Sequence, residues 1–242
     1  MRIPRIYQAD AVRPGQELEL DAMAFQHSVK ALRMQPGQRI DIFNGVLKGY
    51  FEGTLNEVSK RHATVQLQQF RAHENESPLH VHIGQTLSRG ERMDYAVQKA
   101  TETGMNVMTP LYSERCEVKL QGDRTDKRLQ HWQQVAISAC EQCIRPVVPA
   151  IQAPEPLSDW LKSVDAELKL VLHHRSSVAL QSLPKPASIA LLIGPEGGLT
   201  EDEIAQAEAA GFQSVTMGPR VLRTETAPVV ALSLCQMLWG DF

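Results

Sequence analysis

Two loops decide how this chain folds: Gly194-Pro195-Glu196-Gly197-Gly198, and Met217-Gly218-Pro219-Arg220-Val221-Leu222-Arg223-Thr224-Glu225-Thr226-Ala227. A short apolar run, Ile189 to Ile193, enters the first loop and a second, Ser214 to Met217, enters the second. Each run has the length of a buried strand, and each loop leads into a helical pattern. Thr200-Glu201-Asp202-Glu203 is a capping box that starts a helix over Glu201 to Ala210. Pro228 belongs in a helical first turn, so the last helix starts between Glu225 and Ala227 and runs to Trp239. Strand, loop and helix repeated in this order predict a parallel sheet covered by helices. Open α/β sheets place ligands at the carboxyl ends of their strands, so both loops are expected to line one pocket.

The same alternation extends back to residue 79. Strands are expected at Leu79 to Thr86, Met105 to Tyr112, Val147 to Ile151 and Leu168 to His173. Helices are expected at Arg92 to Glu102, Thr125 to Gln142 and Leu157 to Ser163. Residues 1–71 read differently. Arg39 to Phe43, Tyr50 to Val58 and Ala63 to Phe70 alternate as strands, with a turn signal at Asn44-Gly45. Ala22 to Met34 reads as a helix with Phe25, Val29 and Leu32 inward, ended by Pro36-Gly37. The chain is therefore expected to hold a small barrel-like β module at 1–71, a polar linker at 72–78 and an α/β domain at 79–242.

Composition excludes several classes. With 43% hydrophobic and 22% charged residues the chain reads as a globular protein. Its most apolar long segment, Ala227 to Trp239, spans 13 residues and is too short to cross a membrane. Without a secretory signal pattern at the start, a cytoplasmic location is expected. Net charge is −3, split into +3 over residues 1–71 and −6 over the remainder, which suits an RNA-facing module joined to a catalytic one. Cys140 and Cys143 have redox or zinc spacing but sit late in a helix, and no second pair completes a zinc site. His173 and His174 are adjacent on a strand and point to opposite faces, so no metal is expected there.

The loops exclude phosphate cradles. Gly194 to Gly198 is followed by no Gly-Lys-Ser/Thr and contains no G-x-G-x-x-G pattern. Glu196 would repel a phosphate and suits a cationic or adenosine-like ligand. In the second loop Arg220 and Arg223 stand close to Thr224-Glu225-Thr226, a density of donors and acceptors fitted to grip a ligand and steer a substrate. The bland alternatives are a tight strand-to-helix turn for the first loop. For the second, the alternative is a solvated loop with Thr226 as cap.

Three motifs carry a resemblance: Lys99-Ala100-Thr101-Glu102-Thr103-Gly104, Ile193 to Gly198, and Leu222 to Ala227. In this order and spacing the sequence resembles the RsmE-type 16S ribosomal RNA uridine-N3 methyltransferases of the SPOUT superfamily. The likeness extends to Glu141 to Cys143 with Arg145, to Arg2-Ile3-Pro4-Arg5 and to His27 to Arg33. Ile144 departs from it, standing where glycine or another small residue is more usual. The resemblance implies a parallel α/β domain with a deep trefoil knot, behind a PUA-like RNA-binding barrel. It implies a homodimer acting on 16S rRNA in the small ribosomal subunit. S-adenosylmethionine would be held by Leu172, His173, Ile193, Gly194, Pro195, Glu196, Gly198, Met217, Gly218, Val221, Leu222 and Thr224. Arg2, Arg5 and Arg33 are candidate RNA phosphate contacts.

Uracil N3 carries a proton and is a poor nucleophile until that proton leaves. Either a general base removes it or a cation stabilises the resulting anion; Arg223 is the candidate cation and Glu225 the candidate base. Glu102 could instead make a structural contact. Rival readings are a non-catalytic ribosome-assembly protein and a small-molecule methyltransferase.

Overall fold

The computed structural model describes residues 3–173 and 178–242. They form two compact units: residues 3–76 with Ile137–Val148, and Ser77–Ala136 with Pro149–Phe242.

In the first unit, β1 (Arg5–Tyr7), β2 (Glu17–Glu19), β3 (Arg39–Phe43), β4 (Gly49–Val58) and β5 (Ala63–Ala72) form one mixed sheet in the order β1-β3-β4-β5-β2. Only the β1–β3 pair is parallel; the other three pairs are antiparallel. The alternation of β4 and β5 buries Phe51, Leu55, Val65 and Leu67 on one face. β1 and β2, three residues each, are too short to show a period and escaped the sequence reading.

The expected helix at Ala22 to Met34 is corrected. After α1 (Ala22–Phe25), capped by the Asp21 side chain, the chain continues as a π-helix over Gln26–Ala31. Its wider turn rotates later residues relative to the 3.6 period. Phe25 is buried as expected, but Leu32 is 46% exposed. Ser28 is buried instead, its hydroxyl donating to the Ala24 carbonyl at 2.6 Å.

Ile144 has φ 65°, a left-handed conformation unfavourable to a β-branched residue, which accounts for a small residue being more usual there. Its carbonyl accepts from Arg5 Nη1 at 2.9 Å and from Asn75 Nδ2 at 3.0 Å. The two hydrogen bonds hold the turn that the side chain resists.

The second unit holds a seven-stranded sheet, all of whose pairs are parallel. The strands are β6 (His80–Thr86), β7 (Val107–Tyr112), β8 (Ala150–Ile151), β9 (Glu155–Pro156), β10 (Leu168–Leu172), β11 (Ser188–Ile193) and β12 (Gln213–Val215). Their order is β12-β10-β11-β6-β7-β8, with β9 also paired to β7. Helices α2 (Glu91–Glu102), α3 (Asp123–Cys143), α4 (Leu157–Ser163), α5 (Glu201–Ala209) and α6 (Ala227–Trp239) lie within two residues of expectation at each end. Along β11, Ile189, Leu191 and Ile193 pack into a cluster with Val97 of α2, Trp132 of α3 and Leu232 of α6. Ala190 and Leu192 face the opposite cluster, with Trp160 of α4 and Ala207 of α5. A strand buried on both faces is the reason its sequence reads as an unbroken apolar run.

Within that second cluster, His82 meets Trp160. The indole Nε1–H donates to His82 Nε2 at 3.3 Å, and the Thr109 hydroxyl lies 2.8 Å from the same nitrogen. An indole N–H only donates, so Nε2 is an acceptor and the imidazole is neutral. Burial, helped by His80, pushes its pKa down to about 4. An unfolded-state histidine titrates near about 6.5. Between these values the unfolded chain binds a proton that the folded chain refuses, so stability falls as pH drops through the window, by at most ~1.4 kcal/mol per unit. Urea unfolding at pH 7 and pH 4.5 should show a smaller loss for His82→Gln than for the unchanged protein. Equal losses would remove His82 as the cause.

The cysteines form no disulfide among the described residues; burial pushes the Cys140 thiol up to about 12, which makes it inert. No described helix is long and apolar enough to cross a membrane. Among the described residues no group of His, Cys, Asp and Glu could hold a metal ion.

Candidate functional site

β12, β10 and β11 are neighbours at one side of the second unit's sheet, and all run in the same direction. The loops leaving their carboxyl ends therefore emerge side by side. They enclose a cavity of about 840 Å³. Leu172 and His173 line it from the end of β10, with the His173 amide donating to Val215 at 3.0 Å. Ile193, Gly194, Pro195, Glu196 and Gly198 line it from the loop after β11, and Met217, Gly218, Val221, Leu222 and Thr224 from the loop after β12. Arg223 and Glu225 also reach its wall. All fourteen residues proposed from sequence for cofactor and catalysis meet at one cavity.

Each loop is held by identifiable bonds. Gly198 has φ 69° and its amide closes a turn onto the Pro195 carbonyl at 2.9 Å, a geometry that favours glycine. The Thr86 hydroxyl donates to the Ile193 carbonyl at 3.0 Å. Thr224, buried, donates its hydroxyl to the Gly194 carbonyl at 2.9 Å, tying the two loops together. The Thr200–Glu203 capping box forms as expected, and Glu203 also accepts from the Glu114 amide at 2.8 Å. At the start of α6 Thr226 gives no side-chain cap. Instead the Arg223 carbonyl accepts from the amides of Thr226 and Ala227, both at 3.0 Å. Those bonds anchor the Arg223 backbone while its side chain stays exposed.

Charge is distributed unevenly around the cavity. Glu196 is ion-paired with Arg92 at 2.6 Å, so its carboxylate already has a cationic partner. Burial pushes the Glu196 carboxyl up, but hydrogen bonds from backbone amides and from Arg92 outweigh this and hold it below the usual carboxylate range. Arg115 Nη1 donates to the Gly197 carbonyl at 2.9 Å. Glu225 is half-buried, and its Oε2 atom is shielded from solvent with no hydrogen-bond partner among the described residues. The cavity wall thus presents an exposed guanidinium at Arg223, and two residues on it is lined by Glu225, one of whose carboxylate oxygens is buried and unpaired among the described residues.

Sequence reasoning missed Arg92 and Arg115, which lie far from both loops in the chain and carry no local signal. It also missed Gln85 and Thr86, although two polar residues closing a buried strand were a visible anomaly. Glu102, left open above, pairs with Lys99 at 2.8 Å and does not line the cavity.

The proposed RNA contacts fare differently. Arg2 lies outside the described residues. Arg33 is exposed, with φ 55°. Arg5 is placed differently from Arg33: its side chain is 8% exposed, stacked 4.1 Å from the Tyr50 ring centroid and 3.7 Å from Asp41. Its Nη1 donates to the Ile144 carbonyl at 2.9 Å, while its buried Nε has no hydrogen-bond partner among the described residues.

Comparison with known proteins agrees with this architecture. The RNA methyltransferase domain family matches residues 75–236. Ribosomal RNA small subunit methyltransferase E of Buchnera aphidicola from Acyrthosiphon pisum is 34% identical, over 100% of this chain and 96% of its own. The Bacillus subtilis protein of the same name is 32% identical, covering 89% of each chain. The crystal structure of ribosomal RNA small subunit methyltransferase E from Neisseria gonorrhoeae, bound to S-adenosylmethionine, superposes with a TM-score of 0.93 at 38% identity over 100% of both chains. A Legionella pneumophila protein described as a methyltransferase, also in complex with S-adenosylmethionine, superposes at 0.97 with 40% identity and 100% coverage of both. This chain therefore belongs to the RNA methyltransferase family that includes ribosomal RNA small subunit methyltransferase E.

Proposed function

We propose that this protein methylates N3 of a uridine in the 16S ribosomal RNA of the small ribosomal subunit, with S-adenosylmethionine as donor. The observation that carries the reading is the single cavity into which three strand-end loops bring every residue expected to hold the cofactor. Its volume of about 840 Å³ suits a ligand of that size together with an acceptor base. The wall also fits the group chemically: it offers backbone polar groups at glycine-rich turns, apolar contact from Leu172, Ile193 and Leu222, and the orphaned Glu225 oxygen. When bound, S-adenosylmethionine supplies an electrophilic methyl group.

The chain's own residues then prepare the acceptor. Glu225, which lines the cavity, takes the N3 proton through its carboxylate. Arg223 offsets the negative charge that spreads over N3 and its two flanking carbonyls. Thr224 keeps the loops at their spacing, and Arg92 keeps the Glu196 carboxylate out of the reaction.

In this reading the first unit is a PUA-like barrel that holds RNA, with Arg2 and the exposed Arg33 as its phosphate contacts. Arg5, largely buried, would reach a phosphate only if its side chain moved out. In the same reading the last loop is threaded as a trefoil knot, next to the loop after β11 to which the Thr224 hydroxyl ties it. The protein works as a homodimer in the cytoplasm, where small subunits are assembled.

Labelled methyl transfer tests the reaction. Small subunits from cells lacking the modification should take up label from S-adenosylmethionine, and digestion of their 16S RNA should return it as 3-methyluridine. If assembled subunits and free 16S RNA both stay unlabelled, the reading is wrong.

A further inference from the structure

Gln85, next to last in β6, lies opposite Ile193 in the sheet register. Its side chain is fully buried, yet it is polar. Its Nε2 donates to the Thr224 hydroxyl at 3.0 Å and more weakly to the Thr86 carbonyl at 3.3 Å. Its Oε1 is buried without a hydrogen-bond partner among the described residues. An amide that leaves its acceptor unpaired while using its nitrogen is oriented for donation, and a buried unpaired group calls for a reason.

The direction of the bonds supplies one. A hydroxyl has a single proton to give. Because Gln85 donates to Thr224, the Thr224 proton is free to go to Gly194, whose carbonyl it meets at 2.9 Å. If the amide turned its oxygen toward Thr224, the hydroxyl would have a second acceptor and the Gly194 carbonyl would lose its exclusive donor. Gln85 thus sets the polarity of a two-step relay. The relay begins in the sheet and ends on the first residue of the loop after β11. Thr86, donating to Ile193, braces the adjoining carbonyl.

We infer that Gln85 is a positioning residue of the cofactor cradle: through Thr224 it fixes the Gly194 peptide, and so the loop spacing, before ligand arrives. Preorganisation of this kind lowers the cost of binding and acts on affinity more than on the chemical step. The inference rests on the proposed use of the cavity for S-adenosylmethionine.

Calorimetric titration with S-adenosylmethionine tests it. Gln85→Met keeps the volume and removes the donor. It should weaken binding about tenfold, the loss of one buried hydrogen bond. The turnover number at saturating donor should change far less than KM. Thr224→Val breaks the relay from its other end and should weaken binding similarly, with little added in the double variant. It also keeps the idea refutable should Gln85→Met fail to fold. Unaltered affinity in Gln85→Met, or in Thr224→Val where only that variant folds, overturns the inference. Fully additive losses overturn it as well, because independent contacts would not share a relay. Failure of the unchanged protein to bind S-adenosylmethionine would instead sink the functional reading on which this rests.

Discussion

Arg223→Ala is expected to lower the turnover number by about 100- to 1,000-fold, the usual cost of removing one group that stabilises developing charge. Affinity for S-adenosylmethionine should stay close to that of the unchanged protein. The Arg223 carbonyl is tied to two amides at the head of α6, while the guanidinium is exposed at the cavity wall. In the proposed reaction a cation placed there acts on the acceptor rather than on the fold. Loss of charge stabilisation appears in the turnover number when the charge develops only in the transition state. Arg223→Lys should recover part of the rate, since it restores the charge without the planar fork. Glu225→Gln tests the partner role: it removes the base while keeping shape. Single-turnover methyl transfer at saturating donor reads both. A rate within threefold of the unchanged protein for Arg223→Ala, roughly 0.6 kcal/mol on the barrier, would discard the assignment.

Glu76→Ala should destabilise the first unit by about 3–5 kcal/mol, the typical cost of removing one partner of a buried ion pair. Arg145 and Glu76 have side chains only 6% and 11% exposed. They meet as a fork: Nε to Oε1 at 3.1 Å and Nη2 to Oε2 at 2.6 Å. Burial pulls the Arg145 pKa down, but the Glu76 carboxylate more than offsets it and the net direction is up. Without Glu76 the guanidinium keeps its desolvation cost and loses that offset. Glu76→Ala combined with Arg145→Met should cost less than Glu76→Ala alone, because no buried charge is left behind. Urea unfolding followed by circular dichroism, with amide hydrogen exchange along β3 to β5 reporting the first unit, measures both. A loss under 1 kcal/mol for Glu76→Ala, against the 3 or more expected, would mean the pair is solvated in solution. The pair also adjoins the strained Ile144 turn, so these substitutions should couple to changes at Asn75.

Much of this protein is written in local patterns. The apolar run at Ile189 to Ile193, the capping box at Thr200 and Pro228 in a first turn each admit one local structure, and α5, α6 and β11 formed accordingly. The loop residues of the cavity were legible for the same reason. Strand ends in a parallel sheet are where side chains leave the core, so unusual composition there stands out. Periodicity failed where the period itself changed: the π-turn after Phe25 put Leu32 outside and Ser28 inside.

What only the tertiary structure decided is which partner each polar group has. The same arginine letter stands at Arg5, Arg92 and Arg223. One is buried against Tyr50 and Asp41, one holds Glu196, and one is exposed at the cavity. Sequence carries the charge of a residue but not the distance to its counter-charge, and electrostatic roles depend on that distance and on burial. Gln85 makes the same point for hydrogen bonds. Its partner Thr224 lies 139 residues away, and only the folding of β6 beside β11 brings them to 3.0 Å.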